Sequence, residues 1–181
     1  MTRDTNPLAF IVFAQDEAVD RLLQDVSLRL GEADYRVAGF LQHAVKEDSS
    51  CCGAVDIEDI TSGERWQIMQ PLGRHAKGCR LDPTMLAEVS ARALARLEER
   101  PDLILLNRFG KGESEGQGLR SVFEAASLAG IPVLTSVKET YRDLWAAFAE
   151  GMSTELPADE ASIVNWCTKA IGAKKAVVNA A

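Results

Sequence analysis

The stretch Asp102-Leu103-Ile104-Leu105-Leu106-Asn107-Arg108-Phe109-Gly110-Lys111-Gly112-Glu113-Ser114-Glu115-Gly116-Gln117-Gly118 decides how this chain is read. Leu103, Ile104, Leu105 and Leu106 form a wholly apolar run, too short for a helix and without the alternation of a half-wetted strand. A parallel strand covered on both faces fits it best. Polar chemistry then begins abruptly, with Asn107, Arg108, Lys111, Glu113 and Glu115 set among Gly110, Gly112, Gly116 and Gly118. A loop at the carboxyl end of a parallel strand is where open α/β sheets hold their ligands.

Working outward, the flanking segments repeat the same plan. Leu8–Phe13 reads as a first strand, and Asp16 as the N-cap of a helix whose apolar residues Val19, Leu22, Leu23, Val26 and Leu30 recur at helical spacing up to Gly31. A second strand is expected over residues 37–41, with Gln42 and His43 at its end. Two alternating arms, residues 54–60 and 65–69, flank the turn Thr61-Ser62-Gly63-Glu64 and predict a β-hairpin with an acidic, solvated face. Asp82-Pro83 opens a helix striped by Leu86, Val89, Leu94 and Leu97. Leu119, Val122, Phe123 and Ala126 mark another helix, and residues 133–137 the next strand. Thr140 and Asp143 resemble a capping box before a helix carrying Leu144, Trp145 and Phe148. A last helix is expected over residues 159–171, with Trp145 and Trp166 both in the core and a frayed tail over 172–181.

The expectation is therefore one α/β domain over residues 1–181, a three-layer sandwich with a mostly parallel sheet and a hairpin excursion, preceded by a flexible 1–7. Its 181 residues suffice for a core without disulfides. A net charge of −7 argues against broad nucleic-acid or anionic-membrane binding. No signal segment or membrane span is legible, so a cytoplasmic location is expected, with Cys51, Cys52, Cys79 and Cys167 as free thiols and no metal template.

Two loops carry the candidate chemistry. The first strand–turn–helix is where a nucleoside-triphosphatase keeps its phosphate loop, yet Ala14-Gln15-Asp16-Glu17-Ala18-Val19-Asp20-Arg21 has neither glycine nor lysine and places acids where phosphate needs cations. The most basic stretch is Gly73-Arg74-His75-Ala76-Lys77-Gly78-Cys79-Arg80, suited to wrapping an anion. Arg74, Lys77, Gly78 and Arg80, with Asn107, Arg108, Gly110, Lys111, Gly116 and Gly118, are the expected ligand-binding set. Glu113 and Glu115 are the candidates for orienting a water.

Gly78-Cys79-Arg80-Leu81-Asp82-Pro83 and Asn107-Arg108-Phe109-Gly110-Lys111-Gly112-Glu113, continuing to Glu115-Gly116-Gln117-Gly118, resemble an uncharacterised bacterial family catalogued only as a domain of unknown function. The resemblance covers nearly the whole chain. That family looks like a distant relative of the small, thermophile-type P-loop nucleoside-triphosphatases, with genes often near molybdate-transport genes. It implies a P-loop NTPase-like fold. In those enzymes the strand matching residues 103–106 ends in an acid for magnesium, whereas Asn107 and Arg108 stand here, and only Gly110 and Glu113 keep the pattern.

Three functions remain open at this point. The first is an accessory or regulatory protein that binds a nucleotide, with or without Mg²⁺, or an oxyanion such as molybdate. The second is an active nucleoside-triphosphatase with a non-standard phosphate site, and the third a pseudo-enzyme that binds a protein partner. A small anionic ligand is the expected partner, and a homo-oligomer is left open.

Overall fold

A computed structural model describes residues 7–45, 54–70 and 80–179. Its elements run β1 (Leu8–Phe13), α1 (Asp16–Glu32), β2 (Val37–Val45), β3 (Ala54–Asp59), β4 (Arg65–Gln67), β5 (Met69–Gln70), β6 (Arg80–Leu81), α2 (Pro83–Glu98), β7 (Leu103–Phe109), α3 (Lys111–Ser114), α4 (Arg120–Leu128), β8 (Val133–Lys138), α5 (Arg142–Ala149), β9 (Ser153–Leu156) and α6 (Glu160–Asn179). The main sheet has seven strands in the order β4-β3-β2-β7-β8-β1-β9. β2, β7, β8, β1 and β9 are parallel, while β3 and β4 fold back antiparallel as the hairpin.

Helices cover both faces, which is why the central strands read as continuous apolar runs. On one face Ile104, Leu106, Val133 and Val137 pack under α2, α4 and α5 through Val89, Leu97, Phe123 and Trp145. On the other, Ala9, Ile11, Leu103, Leu105 and Leu134 pack under α1 and α6 through Leu23, Leu30, Ile163 and Trp166. Both Trp145 and Trp166 are buried, as their apolar stripes required. Phe109 leaves β7 into an aromatic cluster, its ring 5.0 Å from those of Trp145 and Phe148 and 5.9 Å from Phe123. Cys167 is a buried free thiol whose pKa burial pushes up to about 12. Cys51, Cys52 and Cys79 lie outside the described residues.

One glycine is demanded by the sheet itself. Gly39 of β2 sits at φ +117°, opposite Leu105 of β7, and a Cβ there would fall 1.9 Å from the Leu105 carbonyl oxygen. Only a residue without a side chain permits that approach.

Several boundaries differ from the sequence reading. β2 runs on to Val45, so Gln42 and His43 lie within it, and the His43 Nε2 stands 2.7 Å from Glu58 Oε2 on the neighbouring β3. The hairpin's acidic face is more than solvated: Asp59 is buried, accepts the Thr61 N–H, and pairs with Arg96 at 3.1 Å. β9 was not legible, because its Ser-Thr-Glu-Leu sequence is short and polar and is held as a strand by pairing with β1. α5 starts at Arg142 after a 3-10 turn, with no side-chain cap, so Thr140 and Asp143 form no capping box. α6 continues to Asn179 through the residues expected as a frayed tail. Asp82 does cap α2, accepting the N–H groups of Thr84 and Met85.

Candidate functional site

β7 extends through Phe109, so Asn107 and Arg108 belong to the strand and not to the loop after it. A register irregularity between Leu106 and Phe109, where β7 pairs with β8, lets both residues serve the α1 side while Phe109 turns to the aromatic cluster. This edge gathers the carboxyl ends of β7, β8 and β1. From β1 the chain turns through Ala14 and Gln15 alone before α1 begins.

Asp16 does not cap that helix. Gln15 holds the N-cap position without a side-chain bond, and Asp16 and Asp20, one turn apart on one helix face, point at Arg108. Arg108 Nη1 donates to Asp16 Oδ1 at 2.6 Å, and Nη2 donates to both Asp20 oxygens at 2.9 Å. Asn107 Nδ2 adds a donor to Asp20 Oδ1 at 3.1 Å, and Lys138, ending β8, stands 3.6 Å from Asp16 Oδ2. The Arg108 guanidinium also lies 5.2 Å from the Phe13 ring centre. Two cations thus meet two carboxylates, and the cluster is neutral within itself. Asn107 is 3% exposed, its carbonyl accepts from the Ser136 hydroxyl, and its Oδ1 finds no partner among the described residues.

The glycine loop is built around Glu113. Its Oε2 accepts the Gly110 N–H at 2.9 Å and its Oε1 the Leu119 N–H at 3.1 Å, closing the loop on itself. Gly118, at φ +60°, lets the carboxylate in, since a Cβ there would sit 2.3 Å from Oε1; Gly116 turns the chain at φ +85°. Lys111 and Glu115 are exposed and pair at 3.5 Å. Both oxygens of Glu113 are therefore engaged by backbone, and Glu115 faces solvent beside Lys111.

Of the expected ligand-binding residues, the structure brings Asn107 and Arg108 into one cluster and gives Gly110, Gly116 and Gly118 a loop-shaping place. Arg74, Lys77 and Gly78 lie outside the described residues, and of Arg80 only the backbone, paired with Gln70 in β6, is described. That pairing is anchored near the same edge, because Ile68 donates to Val55, which pairs with Ala44 late in β2. Asp16, Asp20 and Lys138 are the cluster members that sequence reasoning did not assign. Unpaired acids at i and i+4 in the first turn, and a lysine closing a parallel strand, were the available signals.

The fit of a magnesium–nucleotide site can be tested on these contacts. β7 ends in Asn107 and Arg108 where the resemblance implies acids, and the carboxylates of Asp16 and Asp20 are already held by Arg108, Lys138 and Asn107. Among the described residues no group of three or more His, Cys, Asp or Glu is placed to hold a metal. Among the described residues, the carboxylates at this edge are paired with cations and an amide and do not fit a standard Mg²⁺ site.

Parallel strands in this order, with helices on both faces and charged groups gathered at the carboxyl edge, define a three-layer α/β protein. Two solved structures share the fold. The solution structure of a human cancer-related nucleoside triphosphatase matches at TM-score 0.53 and 17% identity, covering 72% of this chain and 75% of that one. The crystal structure of THEP1 from the hyperthermophile Aquifex aeolicus matches at TM-score 0.58 and 13% identity, covering 84% and 90%. The chain belongs to the family described as Protein of unknown function (DUF2478), whose profile matches residues 8–166. The molybdenum import ATP-binding protein ModC 2 of Bradyrhizobium diazoefficiens is 36% identical over 163 residues, 90% of this chain; the chain spans only 18% of that relative's length.

Proposed function

We propose that the protein is an accessory or regulatory binder of a small anion, a nucleotide or an oxyanion such as molybdate, on a P-loop NTPase-like frame without the standard hydrolytic apparatus. One observation carries this reading: Arg108 clasps Asp16 and Asp20 between the β1–α1 turn and the end of β7, the two places where the resemblance to small P-loop nucleoside-triphosphatases implies a phosphate loop and a metal acid. Phosphoryl transfer needs a cradle for the phosphates, a neutralising cation and an oriented water. The two-residue turn supplies no cradle, and Glu113 spends both oxygens on its own loop.

Arg108 and Lys138 nevertheless converge at the ligand edge of the sheet. An arriving anion competes with Asp16 and Asp20 for them, so binding exchanges one set of carboxylate contacts for another and stays adjustable by whatever moves α1. Lys111 belongs to the same reading as an outer contact, and Arg74, Lys77 and Arg80 belong to it by their charge in the sequence. The fold neighbours and the ATP-binding name of the curated relative support a nucleotide, and that name alone supports molybdenum. Among the described residues no helix is long and apolar enough to cross a membrane.

Calorimetric titration with ATP, GTP and molybdate, each with and without Mg²⁺, tests the proposal. One titrant is expected to saturate, to bind more tightly to Asp20→Asn, and to lose binding in an Arg108→Ala, Lys111→Ala double variant, with no phosphate release above buffer. Absence of heat from every titrant sinks the anion reading. The interaction-module reading then stands, favoured by the cluster's neutrality.

A further inference from the structure

The side-chain amide of Asn107 is fixed at the Arg108 cluster with one of its two polar atoms unmet. Its Nδ2 donates to Asp20 Oδ1 at 3.1 Å, while its Oδ1 is buried and has no partner among the described residues. The two ends of the amide are not interchangeable, because turning it over would set its oxygen against a carboxylate oxygen, acceptor against acceptor. Arg108 Nε, a donor, is also buried without a partner among the described residues. Unmet buried polar atoms are costly, and here one acceptor and one donor belong to two side chains that hold the same carboxylate. They call for a group that can both donate and accept.

The carboxylates sharpen that requirement. Val19 and Leu23, both buried in the core between α1 and the sheet, fasten the turn of α1 that carries Asp20. An anion that takes Arg108 from Asp20 therefore keeps this carboxylate as a neighbour, together with Asp16 and Asn107 Oδ1. A fully deprotonated oxyanion presents only lone pairs to these acceptors and is repelled. An oxyanion with a proton of its own donates it to one acceptor and gives its other oxygens to Arg108 and Lys138. Sulfate and molybdate carry no proton at neutral pH. Inorganic phosphate keeps one, and a phosphomonoester, with a second pKa of about 6, keeps it in part.

We infer that the anion taken at this edge is a phosphate group in its protonated form, its hydroxyl donating to Asn107 Oδ1 while Asp16 and Asp20 turn away oxyanions that lack the proton. The inference rests on the anion-binding reading and narrows it, setting molybdate aside in favour of phosphate, free or terminal on a nucleotide. A site that hydrogen-bonds a ligand hydroxyl rejects the analogue without it more strongly than a site that only fits its shape, because the polar group of the protein is then left unpaired.

The test is calorimetry at about pH 7, where a phosphomonoester is still partly protonated, with phosphate, sulfate, molybdate and monofluorophosphate, in which fluorine replaces a phosphate hydroxyl. Phosphate is expected to saturate, and the three anions without a proton to bind at least about tenfold more weakly. Asp16→Asn offers such anions a donor in place of a carboxylate oxygen, so it is expected to narrow that ratio about fivefold or more by raising sulfate affinity. Asp16 is about half exposed, so the variant keeps its fold, as a thermal melt confirms. ATP and GTP in the same series separate the two sources: tighter binding of either puts the phosphate on a nucleotide, and binding of phosphate alone makes it the free ion. Sulfate or monofluorophosphate binding as tightly as phosphate, or a ratio unchanged in Asp16→Asn, overturns the inference and leaves anion binding standing. A water alone between Asn107 Oδ1 and Arg108 Nε in a phosphate-soaked crystal also overturns it. No heat from any of these anions overturns both.

Discussion

Arg108→Ala should unfasten β7 from α1. The guanidinium gives Asp20 two hydrogen bonds at 2.9 Å and Asp16 one at 2.6 Å. Asp16 is about half exposed, so its share is that of a surface pair, under about 1 kcal/mol. Asp20 is different: its side chain is 10% exposed, and without Arg108 it keeps only the Asn107 amide. Removing one partner of a buried pair costs about 3–5 kcal/mol. Arg108 itself is 26% exposed and admits some water, which brings the expected loss to about 2–4 kcal/mol. Urea unfolding followed through the buried tryptophans Trp145 and Trp166 measures it. The pair should also fail to add: Asp20→Asn in the Arg108→Ala background should cost far less than alone, with a coupling of about 1.5–3 kcal/mol. A loss under about 1 kcal/mol, or strict additivity, would refute the clasp as described.

The remaining expectations concern the frame and the loop. Gly39→Ala should cost about 3 kcal/mol or more, from positive φ plus a Cβ 1.9 Å from the Leu105 oxygen, and an unfolding midpoint matching wild type would contradict that approach. Glu113→Gln leaves one acceptor for two backbone N–H groups, so about 1–3 kcal/mol is expected to be lost, with faster proteolysis after Lys111; an unchanged digestion pattern would count against the loop. Burial works to raise the Asp102 pKa, but the Arg36 N–H and Lys175 outweigh it and hold the carboxyl below its usual range. The folded protein thus binds that proton less readily than the unfolded chain, so its stabilisation is complete above about pH 5 and lost as pH falls below about 4. Asp102→Asn should lose stability at neutral pH and flatten that acid slope, measured by urea midpoints across the pH range.

What the sequence disclosed follows from what local patterns encode. Strands buried on both faces announce themselves as apolar runs, and Asp82-Pro83 announces a helix start, so layer order and sheet type were readable. β9 was not, because its stability comes from pairing with β1 and not from its own residues. Asn107 and Arg108 looked like loop because polar residues inside a covered strand need partners, and theirs sit on α1, 87 and 88 residues away in sequence. The same separation made Asp16 look like a cap. The P-loop NTPase-like frame came from resemblance of motifs, and the fold shared with the human nucleoside triphosphatase and THEP1 structures agrees with it. The Arg108 clasp on Asp16 and Asp20 became visible only in three dimensions.

The Arg108 side chain offers the most direct test of the account. Its Nε is buried with no partner among the described residues, so its N–H resonance, assigned by its loss in Arg108→Lys, reports on the guanidinium's surroundings. Titrating ATP, GTP and molybdate should move that resonance saturably for one of them, at the same midpoint as calorimetry, as the anion displaces Asp16 and Asp20. Heat of binding with the Arg108 resonance unmoved would place the anion elsewhere and contradict the central claim.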